Sequence, residues 1–227
     1  MSDKPVFSTA ATMDPAASIA STNKVLSNTY WLLGLTLAFS ALTAGLSLAV
    51  GAPYIGFFPT LIAFFGLLFL VEKTADSGWG LPAIFLLTGF LGFNLGPILS
   101  VALSFQADGT MVMQALGGTA LVFFSLSAYA LSTRKDFSYL SGFVMTGVLL
   151  TLAGAVINYF MAIPAVHLAI VSGLILLMSA LILLETSRIV HGGETNYIRA
   201  TVTLYVAVYN LFQSLLMLIM VFTGGDD

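Results

Sequence analysis

Long apolar stretches separated by short polar gaps dominate this chain. Seven stretches, at about 29–50, 55–71, 81–105, 111–131, 139–161, 164–184 and 199–222, hold almost no charged residue. Each is near the roughly 20 residues a helix needs to cross a bilayer core of about 30 Å. Within lipid every backbone polar group must be satisfied internally, so such stretches are read as helices. The pattern predicts an all-α polytopic membrane protein, a seven-transmembrane-helix bundle. Gly51-Ala52-Pro53, the polar run from Ser132 to Asp136 and Ala162-Ile163-Pro164 punctuate it. Because the connections are short, consecutive helices should be antiparallel neighbours in one membrane domain, 29–223. Residues 1–28, rich in Ser, Thr, Ala and Pro, are expected as a flexible cytoplasmic tail. They lack a basic run joined to a short apolar core and cleavage site, so no signal peptide is expected.

The basic residues add an orientation. Lys4 and Lys24 precede the first span, Lys73 follows the second, Arg134 and Lys135 follow the fourth, and Arg188 and Arg199 flank the gap after the sixth. Every basic residue thus falls in alternate gaps, which by the positive-inside rule predicts a cytoplasmic N-terminus and a C-terminus outside. Composition agrees: 59% of the 227 residues are hydrophobic and 7% charged, against about 25% charged in soluble domains. The net charge of −3 is spread among the loops and points to no nucleic-acid partner. With no cysteine, disulfides, thiolate nucleophiles and zinc–cysteine sites are excluded.

Few polar residues fall within the predicted spans: Asn94, Asn158, Asn210, Gln213 and, near the ends, His167 and Glu185. Every Asp lies in a tail or a loop, and no lysine lies in the last span, which argues against an intramembrane aspartyl protease or a retinal pigment. His167 and His191 fall on opposite membrane sides, so they cannot form a metalloprotease pair. Neither catalysis, a metal nor a cofactor is expected. Asn210, Gln213 and Ser214 share a face of the last helix, suited to interhelical hydrogen bonds or to lining a path. Asn94 and Pro97, beside Gly92 and Gly96, mark a candidate helix kink. Glu185 ends the sixth span with Arg188 one turn onward; an acid at that depth is costly unless paired or hydrated. It reads either as an interfacial salt bridge or as a functional acid. Gly192 and Gly193 supply the freedom to end one helix, and Thr195 or Asn196 can cap the next.

The run Glu185-Thr186-Ser187-Arg188-Ile189-Val190-His191-Gly192-Gly193-Glu194-Thr195-Asn196-Tyr197-Ile198, continued by Ala200-Thr201-Val202-Thr203-Leu204-Tyr205 and Tyr209-Asn210-Leu211-Phe212, resembles the C-terminal signature of the Bax inhibitor-1 (TMBIM) family, in its bacterial inner-membrane branch. Thr22-Asn23-Lys24-Val25-Leu26, Thr88-Gly89-Phe90-Leu91-Gly92 with Gly96-Pro97-Ile98-Leu99, and the stretch from Ala115 to Phe124 extend the likeness over about 20–223. The resemblance implies a seven-helix fold with the sixth helix at its centre, in the bacterial inner (cytoplasmic) membrane. It implies two activities. Bacterial members of the branch bind and restrain the membrane-anchored AAA protease FtsH. Other members are pH-sensitive calcium leak channels, gated by two aspartates that share a proton.

Carried over by position, the first acid of that pair matches Glu185. The second falls at Ala207, so the carboxylate pair that would couple two titrations is missing. The channel members' basic residue on the second helix has no counterpart, since 55–71 holds no Arg or Lys. Glu72, Asp76 and Glu194 are the loop acids available to replace the missing partner. The expected function is therefore an integral inner-membrane regulator of an FtsH-type protease, in contact with the lipid bilayer. The alternative is a calcium or proton leak sensed by Glu185, Arg188 and Asn210, beside the signature loop His191, Gly192, Gly193 and Glu194.

Overall fold

Seven α-helices, with no strand among the described residues, make up the computed structural model of the chain, which describes residues 15–224 and their side chains from residue 20. They are α1 (Pro15–Ala49), α2 (Phe57–Thr74), α3 (Gly80–Phe105), α4 (Thr110–Thr133), α5 (Leu140–Met161), α6 (Pro164–Val190) and α7 (Tyr197–Thr223). All seven are long and apolar enough to cross a membrane. Large apolar side chains such as Leu42, Ile62, Leu121, Phe160 and Leu176 point outward, as a lipid solvent requires.

Two helices differ from their expected lengths. The first begins at Pro15 rather than near residue 29, so the tail expected over 1–28 is helical from residue 15 onward. Proline suits the first turn of a helix, where its missing N–H has no intrahelical role, and Val25 and Leu26 pack this extension against the core. Residues 1–14, Lys4 among them, lie outside the described residues. The sixth helix runs past the expected end at 184 to Val190; Glu185 pairs with Arg188 within the helix and Ser187 bonds to the neighbouring loop.

The centre of the bundle also differs from the expectation. The most enclosed helix is α7, with 50% of an 18-residue apolar stretch buried against 22% for α6; it packs on α1, α3, α4 and α6. Small and short polar residues on several sides of α7 (Ala200, Thr201, Ala207, Ser214) let neighbours approach all round. At the periphery, α2 packs on α3 and α5 on α6, and each buries only 6% of its 18-residue apolar stretch.

The closest helix contact is between α1 and α3. A Cβ on Gly92 would overlap the Ser40 carbonyl oxygen and the Thr43 hydroxyl, and one on Gly96 would overlap the Ser47 side chain. In lipid, helices associate through such backbone approach rather than through the hydrophobic effect. A buried hydroxyl then ties the pair to α7: the Tyr205 hydroxyl lies 2.7 Å from Ser40 Oγ and donates to the Thr88 carbonyl oxygen at 3.2 Å.

Candidate functional site

The α2–α3, α4–α5 and α6–α7 loops gather at one end of the bundle, and Lys73, Arg134, Lys135, Arg188 and Arg199 sit on them or on the adjoining turns. This basic end holds the candidate site.

Glu185 lies inside α6, five residues before its last residue, and is 1% exposed. Its Oε2 accepts from Arg188 Nη1 at 3.2 Å. Arg188 is 44% exposed at its side chain, so it reaches the buried acid from the surface with its stem along the helix. The other oxygen, Oε1, is buried and has no protein partner; the same holds for Thr186 Oγ1 on the next residue and Ser127 Oγ on α4. A buried carboxylate satisfied on one side only is costly, and its free oxygen can accept a proton, a water or a cation. Helix continuation, rather than helix termination, is what buries it.

Past Val190 the chain reverses at the signature loop. Gly192 sits at φ 71°, and the Gly193 amide donates to the Arg188 carbonyl oxygen at 2.8 Å, closing the helix end. Asn196, not Thr195, caps α7: its Oδ1 accepts from the amides of Ile198 at 2.8 Å and Arg199 at 3.3 Å. Its Nδ2 donates to the Ala75 carbonyl oxygen at 2.9 Å and to Asp76 Oδ1 at 2.8 Å. Arg199 completes the latch onto the α2–α3 loop, with Nε 2.8 Å from Glu72 Oε1 and Nη2 2.6 Å from Asp76 Oδ2. Hydrogen bonds from Asn196, then Arg199, hold the Asp76 carboxyl below the usual carboxylate range.

Of the three loop acids, Glu72 and Asp76 are engaged with Arg199. Glu194 accepts from the Asn196 amide at 2.7 Å and is the loop acid whose charge is felt at Glu185. On the other side of α6, Ser187 Oγ accepts from the Phe137 amide at 3.0 Å and donates to the Lys135 carbonyl oxygen at 3.1 Å. His191 sits on the Arg134 carbonyl oxygen next to it.

The remaining sequence candidates lie elsewhere. Asn210 donates to the Val206 carbonyl oxygen at 2.8 Å within α7. At 1.5 Å per residue it stands about 20 Å along α7 from the basic end, whereas Glu185 stands about 8 Å from the end of α6; the two do not meet. Position 207, fully buried, carries only a methyl group. Asn94 donates to the Phe90 carbonyl oxygen at 2.9 Å and faces the Thr60 hydroxyl of α2 at 3.5 Å, and α3 runs unbroken through Pro97. Among the described residues no cluster of three His, Asp or Glu side chains is placed to hold a metal ion. Sequence reasoning gave Ser187 no role and did not join Asn196, Asp76 and Arg199; the Asn196 cap was the visible signal for that latch.

The family model described as inhibitor of apoptosis-promoting Bax1 matches residues 22–224. A relative from Escherichia coli strain K12, named modulator of FtsH protease YccA, is 56% identical over 199 residues, covering 88% of this chain and 90% of its own. An uncharacterized protein of Pseudomonas aeruginosa is 51% identical over 203 residues, 89% of this chain and 91% of its own. An uncharacterized membrane protein of Vibrio cholerae is 41% identical over 206 residues, 90% and 92% of the two chains. On the full-length family match and these identities, the seven-helix chain belongs to the Bax inhibitor-1 family.

Proposed function

We propose that this chain is an integral regulator of the bacterial inner membrane that binds and restrains an FtsH-type membrane AAA protease, and not an enzyme. The observation that carries this reading is the 56% identity, over 88% of the chain, to the relative named modulator of FtsH protease YccA. A relative of equal identity bears the name inner membrane protein YccA. The basic end supports a cytoplasmic N-terminus and a C-terminus outside under the positive-inside rule.

The fold suits an inhibitor that is engaged yet not extracted. A AAA protease pulls on an accessible terminus, and the first helix behind the N-terminal segment is α1. That helix has the closest backbone contact in the bundle, with α3, and is tied to α7 by Ser40–Tyr205 and by the Thr201 hydroxyl on the Thr29 carbonyl oxygen. Pulling must break these contacts before any other helix moves. Deleting residues 2–14 leaves α1 whole and is expected to relieve inhibition of the protease. Unchanged protection of its substrates in the deletion strain would overturn this mechanism.

Glu185 favours a second reading, a calcium or proton leak. Its Oε1, with Thr186 Oγ1 and Ser127 Oγ, supplies unpartnered buried oxygen atoms of the kind that mark ion paths in membranes. The missing carboxylate at position 207 keeps this reading second. Flux into liposomes that is equal in wild type and Glu185→Gln would sink it.

A further inference from the structure

We propose that the α4–α5 loop binds the phosphate of an anionic phospholipid on Arg134 and Lys135. The cations of the basic end are not equivalent. Arg199 is neutralised by Glu72 and Asp76, and Arg188 by Glu185. Among the described residues Lys73, Arg134 and Lys135 have no ion pair. Of these three, Arg134 and Lys135 are consecutive, and both are exposed. The adjacent acid, Asp136, is held by Ser138, whose amide and hydroxyl both donate to its Oδ1. Two cations less one anion leave the loop one net positive charge, with two cationic side chains free to meet an anion.

The backbone that carries the pair is already fixed. Arg134 closes α4 in the left-handed region at φ 48°, its amide donating to the Ala130 carbonyl oxygen at 3.1 Å. The Lys135 carbonyl oxygen accepts from Ser187 Oγ at 3.1 Å. His191, with Nδ1 2.8 Å from the Ser187 carbonyl oxygen, places Nε2 3.1 Å from the carbonyl oxygen of Arg134. Both carbonyl groups are thus turned to the end of α6, while the charged side chains stay exposed. A site ordered in advance loses less entropy on binding. The planar fork of arginine matches two oxygens of a phosphate, and lysine adds a point charge.

The surroundings favour a lipid over an acidic protein surface. Residues 134–139 join two membrane-spanning helices directly, so the loop lies at headgroup level. Tyr129 and Tyr139 are exposed and flank the buried Phe137, with ring centroids 6.0 and 6.2 Å from it. Tyrosines concentrate at that level of a bilayer. Phe143, one turn below Tyr139, and Leu150, two turns further, continue an exposed apolar face down α5. A headgroup seated on the cations therefore leaves its acyl chains against this face, from which a water-soluble protein surface would gain nothing. Basic clusters beside membrane helices hold anionic headgroups in this way. The site does not depend on the protease reading.

Native mass spectrometry of the full-length protein, with phosphatidylglycerol or phosphatidylcholine added to the detergent, counts bound lipids one at a time. The first phosphatidylglycerol is expected to bind about five-fold more tightly than the first phosphatidylcholine, the effect of one net charge beside a membrane surface. Added salt should lower that ratio. Arg134→Gln with Lys135→Gln should bring it to one or below, with the unfolding temperature unchanged because both side chains are exposed and unpaired. Asp136→Asn keeps the oxygen that Ser138 bonds and should raise the ratio about five-fold further, a gain that misfolding cannot mimic. Lys73→Gln, on the α2–α3 side, should leave it unchanged. A wild-type ratio near one, no change in the double variant, or an equal fall in Lys73→Gln would overturn the site. A ratio near one together with weaker capture of an FtsH-type protease by the double variant would give the loop to a protein partner and equally overturn it.

Discussion

The two ends of the bundle are held by different physics. At the basic end, hydrogen bonds cross between helices distant in sequence: the α2–α3 loop is fixed to the start of α7 by Asn196 and Arg199, and the α4–α5 loop to the end of α6 by Ser187 and His191. At the opposite end the polar bonds are mostly local. Asp108 accepts from the Thr110 amide two residues on, and Asn158 Oδ1 from the Ile163 amide at 3.1 Å, beside Ala162 at φ 49°. What joins separate helices there is a ring cluster: Phe57 stacks on Tyr159 with centroids 5.2 Å apart, and Phe58 meets Tyr159 and Phe160. Rings in a belt tolerate sliding, whereas hydrogen bonds fix direction and register. The basic end is thus held by directional bonds, and the apolar end by ring packing.

The largest effect should come from the stretch that carries both ends. Gly92→Leu would drive a side chain into the Ser40 backbone, which cannot move aside, and is expected to destabilise by about 3 kcal/mol; thermal unfolding in detergent would reveal it. At the basic end, Ser187→Ala removes a buried hydroxyl that serves two backbone groups, at about 1–3 kcal/mol. Hydrogen exchange should localise the loss to residues 135–137 and leave the apolar end unchanged. Asn196→Ala removes a cap and the tie to Ala75, at about 1–2 kcal/mol, and should loosen the α2–α3 loop together with the first turn of α7. Phe58→Ala, the counterpart at the apolar end, should cost only about 0.5–1.5 kcal/mol of ring interaction beyond its area. A Phe58→Ala loss that exceeds the Ser187→Ala loss would reverse the comparison.

The smallest effect concerns acid. Asp76 titrates below the usual carboxylate range in the folded protein, so its contribution is present above that range and disappears as pH falls through the folded value. Acidification should speed exchange in the 75–79 loop of the wild type, and Asp76→Asn should remove that dependence.

The bilayer makes the seven helices legible, because each crossing demands an apolar stretch of nearly fixed length. It makes their limits less so. Polarity from Glu185 onward suggested a helix end, yet α6 continues to Val190 because Glu185 pairs within the helix and Thr186, Ser187 and Ile189 are buried against neighbours. The start of α1 at Pro15 was hidden because the residues that follow it, Ala16 to Lys24, form no continuous apolar run. The resemblance placed the sixth helix at the centre, while the short side chains of α7 put it there instead. His191 and its glycines were legible as a turn. Its second carbonyl partner comes from a residue 57 positions away, a distance at which sequence spacing holds no information.

The most direct test of the regulator reading uses purified components. An FtsH-type protease and one of its membrane substrates are reconstituted in liposomes with increasing amounts of this protein, and substrate decay is followed. The account predicts that decay slows in proportion to the protein added, with the two recovered as a complex and this chain itself left intact. Decay that is unaffected at stoichiometric excess, with no association, would contradict it.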